Sequence, residues 1–137
     1  MTTTTIVSEK GLKDIHLDIL EWKSNLQFIK DEAHFINQLL NSYVFEPTTP
    51  NLFERLQSFK EQMIFIANEL ENIHTNIRKH ESELGGMLEC DTISCDTLYY
   101  KEHESLKKSF DNFYKISKKL KSEIFQYAGS ILRKNKK

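Results

Sequence analysis

LFERLQSFKEQMIFIANELENIHTNIRKHESEL, residues 52–84, is the stretch whose reading decides the fold. Leu52, Leu56, Phe59, Met63, Ile66, Leu70, Ile73, Ile77, His80 and Leu84 recur in it at alternating steps of four and three. That period predicts one long helix with a single buried seam. Upstream, Ile15, Ile19, Trp22, Leu26, Ile29, Ala33, Ile36, Leu40 and Tyr43 repeat the ladder, and downstream so do Tyr99, His103, Leu106, Phe110, Phe113, Ser117, Leu120, Ile124, Tyr127 and Ile131.

The breakers fall between the ladders. FEPTTPN, residues 45–51, holds both prolines, with Thr49 suited to cap a helix and Pro50 to open one. After Leu84 comes LGGMLECDTIS, where Gly85 can take the left-handed conformation that closes a helix. Connections this short between long helices make neighbours antiparallel. The expectation is an all-α, up-down-up three-helix bundle of long coiled-coil-like helices. Its predicted limits are a flexible segment 1–11, helices at about 12–44, 50–84 and 95–133, and a basic tail 134–137. Phe28, Phe35 and Leu39 flank the first seam and are expected to widen its buried stripe.

The chain of 137 residues, 39% hydrophobic and 28% charged, is long enough for one core without metal or disulfides. No apolar run approaches the roughly 20 residues that span a bilayer, and the start lacks the basic-then-apolar order of a signal peptide. A cytoplasmic protein without membrane association is therefore expected. Cys90 and Cys95 are read as reduced bystanders, since two thiols form neither a disulfide framework nor a zinc knuckle.

Two ladder positions hold histidine. An imidazole in a seam needs a hydrogen-bond partner or a ligand, whereas Ser117 can bond back to its own helix. Folding back about turns centred near 47 and 90 brings His80 and His103 to one end, with His16, Asp18 and Glu21 at that level. The reading preferred here is a polar layer that fixes register. A second is a zinc or iron site of His80 and His103, completed by Glu21, His16 or Asp18. A third is an open, solvated bundle end. Glu81 and Glu102 adjoin the two histidines and could orient an imidazole. Glu71 with His74, and Asp31 with His34, echo a di-iron spacing, but their levels differ by roughly 10 Å at 1.5 Å per residue, so His74 and His34 are read as surface residues.

IHLDILEW, KHESEL and KEHESL resemble motifs of a family of small three-helix-bundle proteins of Bacteroidetes type, which carries no established activity. His16, Glu21, Trp22, His80, Glu81, Glu102 and His103 match that pattern, and the similarity covers most of the chain. The family has further histidines where this chain has Ile19, Thr75 and Thr97. The resemblance implies the same fold, and these departures count against a multi-histidine site.

Charge is distributed unevenly. Residues 1–97 hold 16 of the 20 acidic and 8 of the 19 basic side chains, so residues 98–137 hold 4 acidic and 11 basic. Lys107, Lys108, Lys115, Lys118, Lys119 and Lys121 form a strip that could meet nucleic acid. A net charge of -1 favours the other reading, in which the strip faces the acidic flanks of the first two helices. No catalytic constellation, phosphate loop or dinucleotide fingerprint is present. The functional expectation is a non-enzymatic interaction or structural module with a protein partner or a second copy, associating through Ile64, Phe65, Ile116 and Phe125. The alternative is the metal-binding bundle, and the preferred reading assigns no cofactor.

Overall fold

The computed structural model describes the backbone of residues 2–89 and 93–132 and the side chains of residues 11, 13–84 and 97–132. The described residues form three helices, α1 (Thr2–Leu40), α2 (Leu52–Glu89) and α3 (Ile93–Ile131). At 38 or 39 residues each, they are rods about 58 Å long at 1.5 Å rise per residue. Contacting pairs give their directions. Between α2 and α3, Phe59 meets Tyr127 and His80 meets His103, so one number rises as the other falls. Between α1 and α3, Asp18 meets His103 and Glu32 meets Lys121, and both rise together. The bundle therefore runs up, down, up. Among the described residues no helix is long and apolar enough to cross a membrane.

The ladders form the core. Ladder positions from Ile15 to Leu40, from Leu52 to Ile77 and from Tyr99 to Ile124 are buried, apart from the half-buried Ala33 and Ser117. Leu84, Tyr127 and Ile131 are half-buried at the ends, and Ala128 joins the core beside Tyr127.

Several boundaries differ from the sequence reading. Helical backbone begins at Thr2 and not near residue 12, so it covers most of the segment expected to be flexible. α1 ends at Leu40, and Tyr43, the last rung of its ladder, is 88% exposed. Its place in the core is taken by Phe45, which pairs with Leu132 through an isolated bridge while the Glu46 amide donates to the Ile131 carbonyl at 2.8 Å. Thr49 does not cap α2: its hydroxyl turns back to donate to the Glu46 carbonyl at 2.7 Å. Asn51 holds the cap position instead: its φ is 57°, and its carbonyl accepts the Arg55 amide at 2.9 Å. Gly85 does not close α2, which continues through both glycines to Glu89. A glycine inside a helix costs only about 1 kcal/mol relative to alanine, too little to end a rod held elsewhere by packing. Cys90, the side chain of Cys95 and the basic tail 134–137 lie outside the described residues.

The stripe on α1 is narrower than expected. Phe28 and Phe35 are 60% and 56% exposed, and only Leu39 of the three flanking residues packs against the core. A helix that contacts two neighbours through one seam buries the a and d positions and leaves residues farther round in solvent. The apolar strip expected to join Ile64, Phe65, Ile116 and Phe125 is divided between two faces. Phe65 and Ile116 line a groove of about 460 Å³ between α2 and α3, whereas Phe125 meets Phe35 of α1 with ring centroids 6.4 Å apart. At the other end, Gly11 permits close approach: an added Cβ would lie 2.8 Å from Cζ of Tyr100.

Candidate functional site

The two ladder histidines meet. His80 of α2 and His103 of α3 are both 4% exposed, and Nε2 of His80 lies 2.9 Å from Nδ1 of His103. Nε2 of His103 is in turn 2.9 Å from Oδ2 of Asp18 on α1. All three helices thus contribute to one hydrogen-bonded chain. Its directions follow from the terminal group. An ionised carboxylate only accepts, so His103 donates from Nε2; a neutral His103 then accepts at Nδ1, and His80 donates from Nε2. Nδ1 of His80 is left with its lone pair.

The rings are also stacked. Tyr99 lies on His80 at 4.3 Å between centroids and 10° between planes, His103 lies on Trp22 at 4.8 Å and Trp22 on Phe110 at 5.7 Å, while His80 and His103 meet edge to edge in their hydrogen bond, with centroids 5.1 Å apart. The Tyr99 hydroxyl donates to the His80 backbone carbonyl at 2.8 Å, tying α3 to α2. Imidazoles fit this seam because each presents a flat face to an aromatic ring and its polar edge to the hydrogen-bond chain.

Burial chiefly, with a second imidazole beside it, lowers the pKa of His80 from 6.5 to about 4, against the opposing effect of Glu83. Its ring is therefore neutral at ordinary pH. Burial, followed by Glu83, Glu102 and Glu81, pushes the Tyr99 phenol above its ordinary value, so it remains a donor.

On the outer side, His80 borders a recess of about 300 Å³ between α2 and α3, shared with Asn76, Lys79, Glu83, Glu102, Ser105, Leu106 and Ser109. Glu83 and Glu102 are exposed carboxylates. A ring nitrogen of His80 and one oxygen of each glutamate all lie within 4.8 Å of one another.

The expected ligand set is therefore divided. His80, His103 and Asp18 come together, with both nitrogens of His103 engaged in hydrogen bonds within the protein, so that His103 orients His80. His16 and Glu21 are exposed, and among the described residues neither hydrogen-bonds to the histidines. Glu81 meets Lys23 at 2.9 and 3.2 Å and orients neither imidazole. His34 is exposed and His74 half-buried. Sequence reasoning missed Glu83, although its place three residues after His80 puts it on the same helix face. Of the six lysines in the strip, Lys121 pairs with Glu32 at 2.9 Å, while the other five are exposed and make no ion pair among the described residues.

No protein-family model, curated protein or solved structure matches this chain.

Proposed function

We propose that this chain is a non-enzymatic helical-bundle module that acts by association, and that its partner is a second copy of itself. The observation that carries the reading is a row of aromatic side chains left open between α1 and α3. Phe28, Phe35, Tyr114 and Phe125 are between 41 and 60% exposed. Phe28 and Phe35 are seven residues apart and Tyr114 and Phe125 eleven, spacings that return to one face of a helix with 3.6 residues per turn. The Phe35–Phe125 ring contact and the Glu32–Lys121 ion pair join the two faces. Isolated apolar groups are ordinary on a surface, but contiguous aromatic groups characterise protein contacts.

Charge supports a second copy. Glu21 and Asp31 accompany the phenylalanines on α1, while Lys107 and Lys118, with one opposing Asp111, accompany the aromatics on α3. A two-fold axis parallel to the helices lays α1 of each copy over α3 of the other, as an isologous dimer requires. Phe28 and Phe35 then meet Tyr114 and Phe125, and Asp31 comes level with Lys118.

Sedimentation over a wide concentration range tests this. The expected result is a species of twice the 16.2 kDa chain mass that Phe35→Lys with Phe125→Lys converts to a monomer of unchanged helical content. A wild-type chain that stays monomeric throughout rejects the reading.

A further inference from the structure

We propose that the recess beside His80 is a binding site for one divalent first-row cation, with His80, Glu83 and Glu102 as its protein ligands. This site lies between α2 and α3, away from the aromatic row, and does not depend on self-association.

The donor set fits in number, charge and reach. One neutral imidazole and two carboxylates balance a doubly charged ion, and a nitrogen with two oxygens suits Zn²⁺, Mn²⁺ or Fe²⁺. Two ligands that share an ion at about 2.1 Å each stand no more than about 4.2 Å apart. The present limit of 4.8 Å therefore closes with small rotations of exposed glutamate side chains. The open side of the recess leaves room for water or a further ligand.

The interior chain supplies a separate reason. A buried histidine that bordered an acidic recess by accident could turn either nitrogen outward. His80 cannot, because Nε2 is held at 2.9 Å by His103, which is held by Asp18. With His103 neutral, the same bonds leave Nδ1 as the nitrogen with a free lone pair, and Tyr99 packs on the face of the ring. A carboxylate at the far end of a ligand histidine is the arrangement by which proteins set tautomer and basicity at a metal; here a second imidazole is interposed. Among the described residues, neither Glu83 nor Glu102 is engaged in an ion pair. Because the ligands come from α2 and α3, an ion would clamp the two helices near the end where their chain connection lies.

The test is calorimetric titration of the chelator-treated full chain with Zn²⁺, in a Cys90→Ser/Cys95→Ser background so that thiols do not compete. The expected result is one equivalent bound, with a rise in Tm. Glu83→Gln and Glu102→Gln should each weaken binding by more than the roughly 10- to 100-fold loss typical of an outer-shell partner. Glu104→Gln, also exposed on α3, should leave it unchanged. Both glutamates are exposed, so helical content measured by circular dichroism should stay constant in every variant. Absence of binding in the parent overturns the proposal, as does binding that survives the Glu83→Gln/Glu102→Gln double substitution.

Discussion

At one end of the bundle, His80, His103 and Asp18 pass hydrogen bonds across three helices, with Tyr99 packed on one imidazole and Trp22 on the other. At the other end, Leu40, Phe45, Leu52, Leu56 and Phe59 close the core with hydrocarbon. The same four-and-three spacing builds both, but the two fillings make different demands. Hydrocarbon needs volume, whereas imidazoles need volume and direction. The polar end accordingly joins three of the four imidazole nitrogens of His80 and His103 in the chain, while the apolar end contains a buried hydroxyl without a hydrogen-bond partner among the described residues, that of Tyr127.

The largest expected effect belongs to the apolar end. Phe59 is 1% exposed and packs on Tyr127 at 5.7 Å. Phe59→Ala should cost about 3 to 5 kcal/mol in denaturant unfolding, from lost burial plus a cavity. At the polar end, His103→Leu leaves the Nε2–H of His80 facing hydrocarbon and should cost about 1 to 3 kcal/mol. Adding His80→Leu should restore part or all of that loss, because the unsatisfied group then disappears. A double variant less stable than the single would show that the imidazoles contribute by more than mutual satisfaction. No such reversal is expected when two neighbouring apolar residues are truncated together.

Acid should distinguish the ends further. His80 takes up a proton near pH 4 when folded but near the ordinary imidazole value of 6.5 when unfolded, so between these values the unfolded chain holds more protons. Stability from this group is complete above about pH 6.5, declines as pH falls and reaches its minimum below about pH 4. The full decline should amount to about 3 kcal/mol, of which roughly 2 kcal/mol falls between pH 7 and pH 5. Unfolding at pH 7 and pH 5 measures the slope, and His80→Leu/His103→Leu should remove this part of it. An unchanged slope in the double variant would exclude His80 as its source.

The ladders made most of the fold legible, because burial on a helix depends on a period that the sequence displays directly. They also brought His80 and His103 to one level. The site was less legible for geometric reasons. Asp18 was one of three acceptable candidates at that level, and small rotations of the helix separate it from the exposed His16 and Glu21. Glu83 carried only the weak signal of i, i+3 spacing. Phe28 and Phe35 were misread because aromatic character suggests burial, whereas the angle around α1 that decides it depends on how closely α3 packs. Phe45 lay beyond any helical period, and its burial arises from the bridge to Leu132.

The smallest expected effects sharpen the comparison from the opposite side. Tyr127→Phe deletes the unpartnered hydroxyl and keeps the ring between Phe59 and the Arg55 guanidinium, which lies 4.9 Å from its centroid. It should stabilise the chain by up to about 1 kcal/mol, since a buried donor without a partner forfeits its hydration. Lys23→Met removes the ion pair with Glu81 beside the polar end, where both side chains remain partly exposed at 40% and 32%. Its loss should stay within about 1 kcal/mol and shrink in salt, because solvent screens a pair of that exposure. A larger loss would mean that the Lys23–Glu81 bridge helps hold α1 against α2 at the level of the histidines. The directional demand of the polar end would then extend outward from its buried chain to the surrounding surface.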